Sequence, residues 1–104
     1  MLKKYETLLL LCPELGADGR QAILDNLSAI IDRDQGQVLI VDEWGMKELA
    51  YPVRKQTRGY YVRLEYALPP EFVGELERNI RITDGIFKFL TVKLADKFEQ
   101  EEEK

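Results

Sequence analysis

Hydrophobic residues follow two different periods along this chain of 104 residues, and the two periods predict four strands and two helices. Runs rich in leucine, β-branched and aromatic residues predict strands at Lys4–Leu11, Val38–Trp44, Tyr60–Ala67 and Ile86–Leu94. Between these runs, apolar residues recur at spacings of three and four, which predicts amphipathic helices around Ile23–Ile31 and Phe72–Ile80. The predicted order of elements is therefore β-α-β-β-α-β.

Turn and cap residues separate the predicted elements. Asp18 is expected to cap the first helix, because a short side-chain oxygen can accept a bond from a free helical N–H group. Gly36 is expected to end that helix, since glycine adopts the left-handed conformation common at helix ends. The pair Pro69–Pro70 is expected to open the second helix.

The segment between the second and third strands predicts an irregular hairpin. Gly45 within an extended run indicates a β-bulge or a bend. Pro52 has no N–H group to donate, so the second strand is expected at an edge of the sheet or interrupted there. Polar residues in Lys55–Gly59 are expected to form the turn. Trp44 is interpreted as a packing residue of the second strand.

This order of elements, in a chain of this length, predicts one α+β domain over residues 1–95. The fold class is the ferredoxin-like sandwich, a four-stranded antiparallel sheet with two helices on one face. Strands one and three are expected at the centre, with strand four at an edge beside strand one. Because both sides of the strands carry apolar residues, either a partner or the chain's own loops or tail should cover part of the open face.

The composition argues against catalysis and against a metal site. The chain has no histidine and one cysteine, Cys12, which removes histidine-based nucleophilic chemistry and a structural zinc site. We therefore expect no enzyme activity, no cofactor and no small-molecule substrate. No apolar run approaches the roughly 20 residues that span a bilayer, so we expect no membrane association and a cytoplasmic protein.

The net charge of −4 is unevenly distributed along the sequence. Five acids and two bases fall in residues 96–104, which we expect to be an acidic, mobile tail. The preceding residues are nearly neutral, with 13 bases and 14 acids. The stretch Leu49–Leu64 contains four bases, one of them Arg63, and no acid. A local basic stretch on a neutral body is compatible with binding to RNA phosphates.

Cations and tyrosines in and around the predicted hairpin are candidate RNA contacts, although any single hairpin cation could simply keep a loop soluble. Lys3 and Lys4, together with Arg81 and Lys88, are expected to form a second basic edge. Tyrosine rings could stack on unpaired bases. The complete set of candidate RNA contacts is Lys3, Lys4, Tyr5, Lys47, Tyr51, Arg54, Lys55, Arg58, Arg81 and Lys88.

Three motifs resemble the family of the sixth protein of the bacterial small ribosomal subunit. They are K-K-Y-E at Lys3–Glu6, G-M-K-E-L-A-Y-P-V-R at Gly45–Arg54 and G-Y-Y at Gly59–Tyr61. The chain departs from the family pattern at Val53, where the signature has isoleucine, and at Glu48, where relatives often carry arginine. It also has one extra residue before the first tyrosine.

This resemblance implies both a fold and two partners. Members adopt the ferredoxin-like fold and bind the central domain of small-subunit ribosomal RNA as a heterodimer with the eighteenth small-subunit protein. The chain would then work in the ribosome, and its exposed apolar surface would hold the protein partner. The residues assigned to that contact are Leu8, Leu10, Tyr61 and Leu90.

A small-ligand-binding regulatory module of the same fold is the alternative interpretation, since such modules need only a sheet edge and a loop. An acylphosphatase-like enzyme fits less well, because Pro13–Arg20 lacks the closely spaced glycines of a phosphate loop. Binding of an amino acid or a nucleotide by a protein that ignores ribosomal RNA would favour the regulatory module.

Overall fold

A computed structural model describes residues 1–97, and within them the predicted order of elements is confirmed. Residues 98–104 of the predicted acidic tail lie outside the described residues. A short 3-10 turn, Pro70–Phe72, precedes the second helix. The elements are β1 at Lys3–Leu11, α1 at Gly16–Arg33, β2 at Gln37–Val53, β3 at Gln56–Leu68, α2 at Val73–Ile82 and β4 at Ile86–Ala95.

The four strands form one antiparallel sheet in the order β2-β3-β1-β4, as predicted. β1 is central, and Leu8 lies opposite Arg63 of β3 on one side and Leu90 of β4 on the other. Both helices pack against the same face of the sheet. The ferredoxin-like fold class is therefore confirmed, and the face without helices is called the open face below.

The core lies between the helices and the inward-facing residues of the central strands. Leu9 of β1, Leu64 of β3 and Leu27 of α1 are fully buried in one apolar cluster. Inside this cluster the hydroxyls of Thr7 and Tyr66 are hydrogen-bonded at 2.9 Å, and Thr7 also bonds Thr91 at 2.9 Å. Burial raises the pKa of Tyr66. These polar groups are tolerated because each has a partner.

Both ends of α1 differ from the sequence prediction. The helix begins at Gly16, so Asp18 lies inside the first turn and is not the N-cap residue. At the other end Gln35, and not Gly36, adopts the left-handed conformation, with φ of 71°. The Gly36 N–H group donates to the Ile31 carbonyl at 2.8 Å, as in a Schellman motif. A Cβ at Gly36 would lie 2.5 Å from the Ala67 carbonyl oxygen, so glycine is required there by close packing.

The hairpin joining β2 and β3 turns earlier than predicted. Arg54 and Lys55 form a two-residue turn, with φ of 53° and 66°, whereas residues 56–59 belong to β3. Positive φ at both positions is the requirement of the tight hairpin turns that match strand twist. The predicted bulge at Gly45 is confirmed by its φ of 98° and by a register shift. Pro52 lies on an edge strand, where pairing is interrupted, as predicted.

The centre of the open face is charged, in contrast to the apolar surface expected from sequence. Arg63 donates to Glu6 at 2.9 Å and to Glu65 at 2.7 Å, and Lys4 lies 2.8 Å from the second oxygen of Glu65. Glu65 is only 7% exposed. The hydrogen bond from Lys4 is the main reason that the pKa of Glu65 lies below its ordinary value of 4.5. Arg63 adds to this effect, while burial opposes it.

The lowered pKa of Glu65 predicts a pH-dependent contribution to stability. A carboxyl group that ionises more readily when folded stabilises the fold above its unfolded pKa, near 4.5, and this stabilisation is lost as the pH falls through the folded pKa. We expect Glu65→Gln to lower the free energy of unfolding by about 1–2 kcal/mol at pH 7. Urea unfolding between pH 7 and pH 3 should show the difference shrinking towards zero at acidic pH.

Glu14→Gln is the matched control, because Glu14 is exposed and forms no ion pair within residues 1–97. It should unfold like the unaltered protein at every pH. A Glu65→Gln deficit that stayed constant down to pH 3 would contradict the assigned role of the carboxylate.

Candidate nucleic-acid interface

The β2–β3 hairpin bends over the open face and covers one end of β1. We call residues 46–59 the hairpin arm. Leu10 points to the open face and yet is only 4% exposed, because the arm lies above it. A Cβ at Gly59 would overlap the Leu10 side chain, so the lack of a side chain there allows the contact. The arm residues that line the small cleft around Leu10 are Leu49, Ala50, Tyr51 and Val53.

Bending of the arm brings its tip to β4 and to the end of α2. The Arg54 guanidinium lies 5.4 Å from the centre of the Phe87 ring, and the Arg81 guanidinium lies 5.4 Å from that of Phe89. Lys88 Nζ lies 3.5 Å from the Tyr51 hydroxyl. Arg54, Arg81 and Lys88 line a cleft of about 320 Å³, which we call the cationic cleft. Its other lining residues are Ile80, Ile86, Phe87 and Phe89.

The remaining candidate RNA contacts on the arm are exposed to solvent. Lys47 lies opposite Gly59, and Arg58 lies opposite Glu48, so both occupy paired strand positions. Lys55 lies in the turn itself. Within residues 1–97, none of the arm cations, nor Arg81 or Lys88, forms a salt bridge. Their charges are available to an external anion.

The second basic edge expected from sequence is wrong, because its members lie at opposite ends of the sheet. Lys4 pairs with Ala95 of β4, whereas Lys88 pairs with Leu10. Six residues of β1 separate these positions, or about 20 Å at a strand rise of about 3.3 Å. Arg81 and Lys88 instead join the hairpin arm. Lys4 is held by Glu65, and Lys3 remains at the far end.

Tyr5 and Arg63 also differ from the sequence interpretation. The Tyr5 ring is buried on the helix side of the sheet and stacks on Tyr66 at 5.8 Å between centroids. A buried ring has no face open to a base, so Tyr5 is corrected to a core residue. Arg63 lies in the acid-free stretch of sequence, but Glu6 and Glu65 reach it from across the sheet and along its own strand.

The four residues predicted to contact a protein partner converge on one shallow cleft of about 160 Å³, also lined by Lys88 and Phe89. Leu10 forms its buried floor, and is therefore corrected from an exposed contact to a supporting residue. Leu90 is 62% exposed. The four residues are Leu8, Leu10, Tyr61 and Leu90.

Trp44 extends this apolar surface, which the sequence interpretation missed. Its ring lies 6.4 Å from that of Tyr61, and its Nε1–H group donates to Asp42 at 3.1 Å. The residue is 46% exposed and is not part of the buried core. Trp44 directly precedes the Gly45 bulge, and a bulge changes the direction of neighbouring side chains. The sequence therefore did contain a signal for the orientation of Trp44. We call Leu8, Trp44, Tyr61 and Leu90 the apolar strip.

Other kinds of site find little support in the described part of the chain. No group of three or more histidine, cysteine, aspartate or glutamate residues in residues 1–97 is placed to hold a metal ion. Cys12 is half-buried and is not in a disulfide. No described helix has the length and apolar character needed to cross a membrane.

Comparison with known proteins identifies the family. The family model described as "Ribosomal protein S6" matches residues 4–93. The small ribosomal subunit protein bS6 of Nitratidesulfovibrio vulgaris (strain DP4) is 64% identical over 99 residues, covering 95% of this chain and 98% of the relative. The protein of the same name from Lawsonia intracellularis is 54% identical over 101 residues, covering 97% of this chain and 95% of the relative.

A solved structure supports the fold independently. The crystal structure of 30S ribosomal protein S6 from Thermotoga maritima matches with a TM-score of 0.83, over 90% of this chain and 89% of that chain. Its sequence is 23% identical, so this match speaks for the fold alone. The resemblance seen in the three sequence motifs is confirmed by the family match and the curated relatives: the chain belongs to the ribosomal protein S6 family of the bacterial small ribosomal subunit.

Proposed function

We propose that this chain is a structural, non-catalytic component of the small ribosomal subunit that binds the central domain of small-subunit ribosomal RNA. The observation that carries the proposal is the convergence of exposed, unpaired cations from the hairpin arm, α2 and β4 at one end of the molecule. Because the chain belongs to this family, we propose that it works in the ribosome, in the cytoplasm. The negative net charge does not oppose this role, because recognition depends on the local distribution of charge.

The hairpin arm is suited to RNA binding because its cations extend from a β-hairpin that packs against the sheet. Arg54, Lys55 and Arg58 extend from backbone positions fixed by a tight turn and by strand pairing. Each phosphate contact would release condensed counterions and so add to the salt dependence of binding. Tyr51 is 63% exposed and could stack on an unpaired base. Contacts of this kind recognise the shape and the sugar-phosphate backbone of RNA more than its base sequence.

We further propose that the apolar strip binds the eighteenth small-subunit protein. Exposed aromatic and aliphatic residues next to one another are typical of the centre of a protein interface. Trp44 and Leu90 supply such exposed area, and Tyr61 of β3 lies between Trp44 on β2 and the buried Leu10 on β1. The neighbouring charges of Glu6, Arg63 and Glu65 are already paired within the sheet. A partner could therefore cover them without leaving an isolated charge.

The regulatory-module alternative has weaker support. Small-molecule sites usually enclose about 300–1,000 Å³ and are mostly apolar. The largest of the three clefts described above measures about 320 Å³ and is lined by three cations, while the other two measure about 160 Å³ each. The largest cleft is therefore at the lower limit of that size range and is too rich in charge for a typical metabolite site, and the other two are too small.

The RNA proposal predicts a change in salt dependence when the arm loses its cations. For the triple variant Arg54→Ala, Lys55→Ala, Arg58→Ala, we expect weaker binding to a central-domain RNA fragment. The slope of log affinity against log salt should fall in magnitude by about 2–3 units, since each lost phosphate contact removes about 0.9. Filter binding at several salt concentrations, with and without the eighteenth protein, measures both quantities.

The matched control is Arg33→Ala, Arg78→Ala, Lys97→Ala, which removes the same charge from exposed positions away from the arm. It should change the slope by less than about one unit. Equal slopes for the arm variant and the unaltered protein, in both the presence and the absence of the eighteenth protein, would exclude the arm from the interface.

The protein-partner proposal predicts that Leu90→Glu weakens binding to the eighteenth protein by about tenfold or more, because a charge would replace apolar area at the contact. Ile82→Glu is the matched control, since Ile82 is 67% exposed but lies on α2, away from the open face. Isothermal titration calorimetry compares the two. Equal affinities for both variants would show that the apolar strip is not the binding surface.

A further inference from the structure

The cationic cleft brings together charges that have no counterpart in the described structure. Arg54 comes from the turn of the hairpin arm, Arg81 from the last turn of α2, and Lys88 from β4. Among residues 1–97, no acidic side chain lines the cleft. Like charges that share so small a volume repel one another, and an anion between them would relieve that repulsion.

Aromatic rings, and not carboxylates, hold these cations in place. The guanidinium groups lie over Phe87 and Phe89, and the ammonium of Lys88 lies 5.1 Å from the centre of the Tyr51 ring. A cation above a ring face keeps its N–H donors free for another acceptor. The cleft is thus organised before any ligand binds. Lys88 directs one N–H donor at the Tyr51 hydroxyl, and the other donors of the three cations remain available.

The geometry of the cleft favours a phosphate over a carboxylate. Donors approach from three different chain segments, and a tetrahedral phosphate can accept hydrogen bonds on several sides, whereas a carboxylate is flat. The remaining lining residues are apolar, so they could pack against the ribose next to a phosphodiester. The volume of about 320 Å³ exceeds that of a phosphate alone and leaves room for part of a sugar.

We propose that the cationic cleft is a discrete binding site for one backbone phosphate of RNA, held by Arg54, Arg81 and Lys88. This inference rests on the proposed RNA-binding function and adds a specific anion subsite to it. Because Arg54 belongs to the hairpin arm and Lys88 to β4, the bound phosphate also fastens the arm to the sheet. RNA binding and the bent conformation of the arm are therefore coupled.

The test is an NMR titration of the full chain at low ionic strength with uridylyl-uridine, a dinucleotide carrying one phosphodiester, and separately with inorganic phosphate and with acetate. We expect saturable amide shifts confined to residue 54, residues 80–81 and residues 86–89 with both phosphate ligands, and much weaker ones with acetate. Arg81→Ala should weaken phosphate binding about tenfold.

Arg78→Ala is the matched control, because Arg78 is exposed on the same helix and does not line the cleft. It should leave phosphate binding within about twofold. Shifts that spread over all lysines without saturating, equal effects of the two arginine variants, or equal binding of acetate would each overturn the proposal.

The two proposals fail in distinguishable ways. If uridylyl-uridine occupies the cleft but the chain ignores ribosomal RNA, the proposed function is wrong and the anion site remains. If ribosomal RNA binds and Arg81→Ala weakens it no more than Arg78→Ala does, the cleft is not an RNA phosphate site and the proposed function remains.

Discussion

The packing of the hairpin arm over Leu10 is the contact on which the candidate interface depends. Leu10 lies on the face of the sheet that has no helices, and yet it is nearly inaccessible, because Leu49, Tyr51 and Val53 surround it. Gly59 makes this possible by leaving space for the leucine side chain. Burial of one leucine is worth about 1.5–3 kcal/mol, which is enough to favour one arm orientation over many. The hairpin arm, which would otherwise project from the sheet, is therefore held against the open face.

This contact divides the open face into three regions with different chemistry. The centre is an ion-paired network around Glu65, in which each charge has a partner on the same sheet. Towards the arm, the surface becomes apolar at Tyr61 and Leu90. Beyond them, the tip of the arm meets β4 and forms the cationic cleft. An acidic chain can therefore present a basic corner, because no acidic side chain among residues 1–97 lines the cationic cleft.

Local patterns in the sequence were sufficient for the order of elements, the edge position of β2 and the bulge at Gly45. They failed where a residue's role depends on tertiary packing. Gly59 was interpreted as a turn residue, but it is needed because Leu10 packs beneath it, and the turn uses two residues that are not glycine. Gly36 was likewise assigned to the helix end, although it is required by the close approach of β3.

The grouping of the cations was the least predictable feature. Lys4 and Lys88 lie on neighbouring strands, but the antiparallel register places them at opposite ends, and no local pattern contains that information. The same holds for Arg63, whose acidic partner Glu6 is 57 residues away in sequence. The sequence identifies which residues carry charge. Which of those charges lie close together depends on the strand register and on the bend of the hairpin arm.

The most direct test of this account is the position of the arm in the free protein in solution. Nuclear Overhauser effects between the Tyr51 ring protons and the Lys88 side chain report it, since Lys88 Nζ lies 5.1 Å from the ring centre when the arm is bent. The account predicts these signals, together with signals from Tyr51 to Leu10. Their absence, combined with rapid exchange of the arm amides, would show an unsupported hairpin and would contradict the central claim.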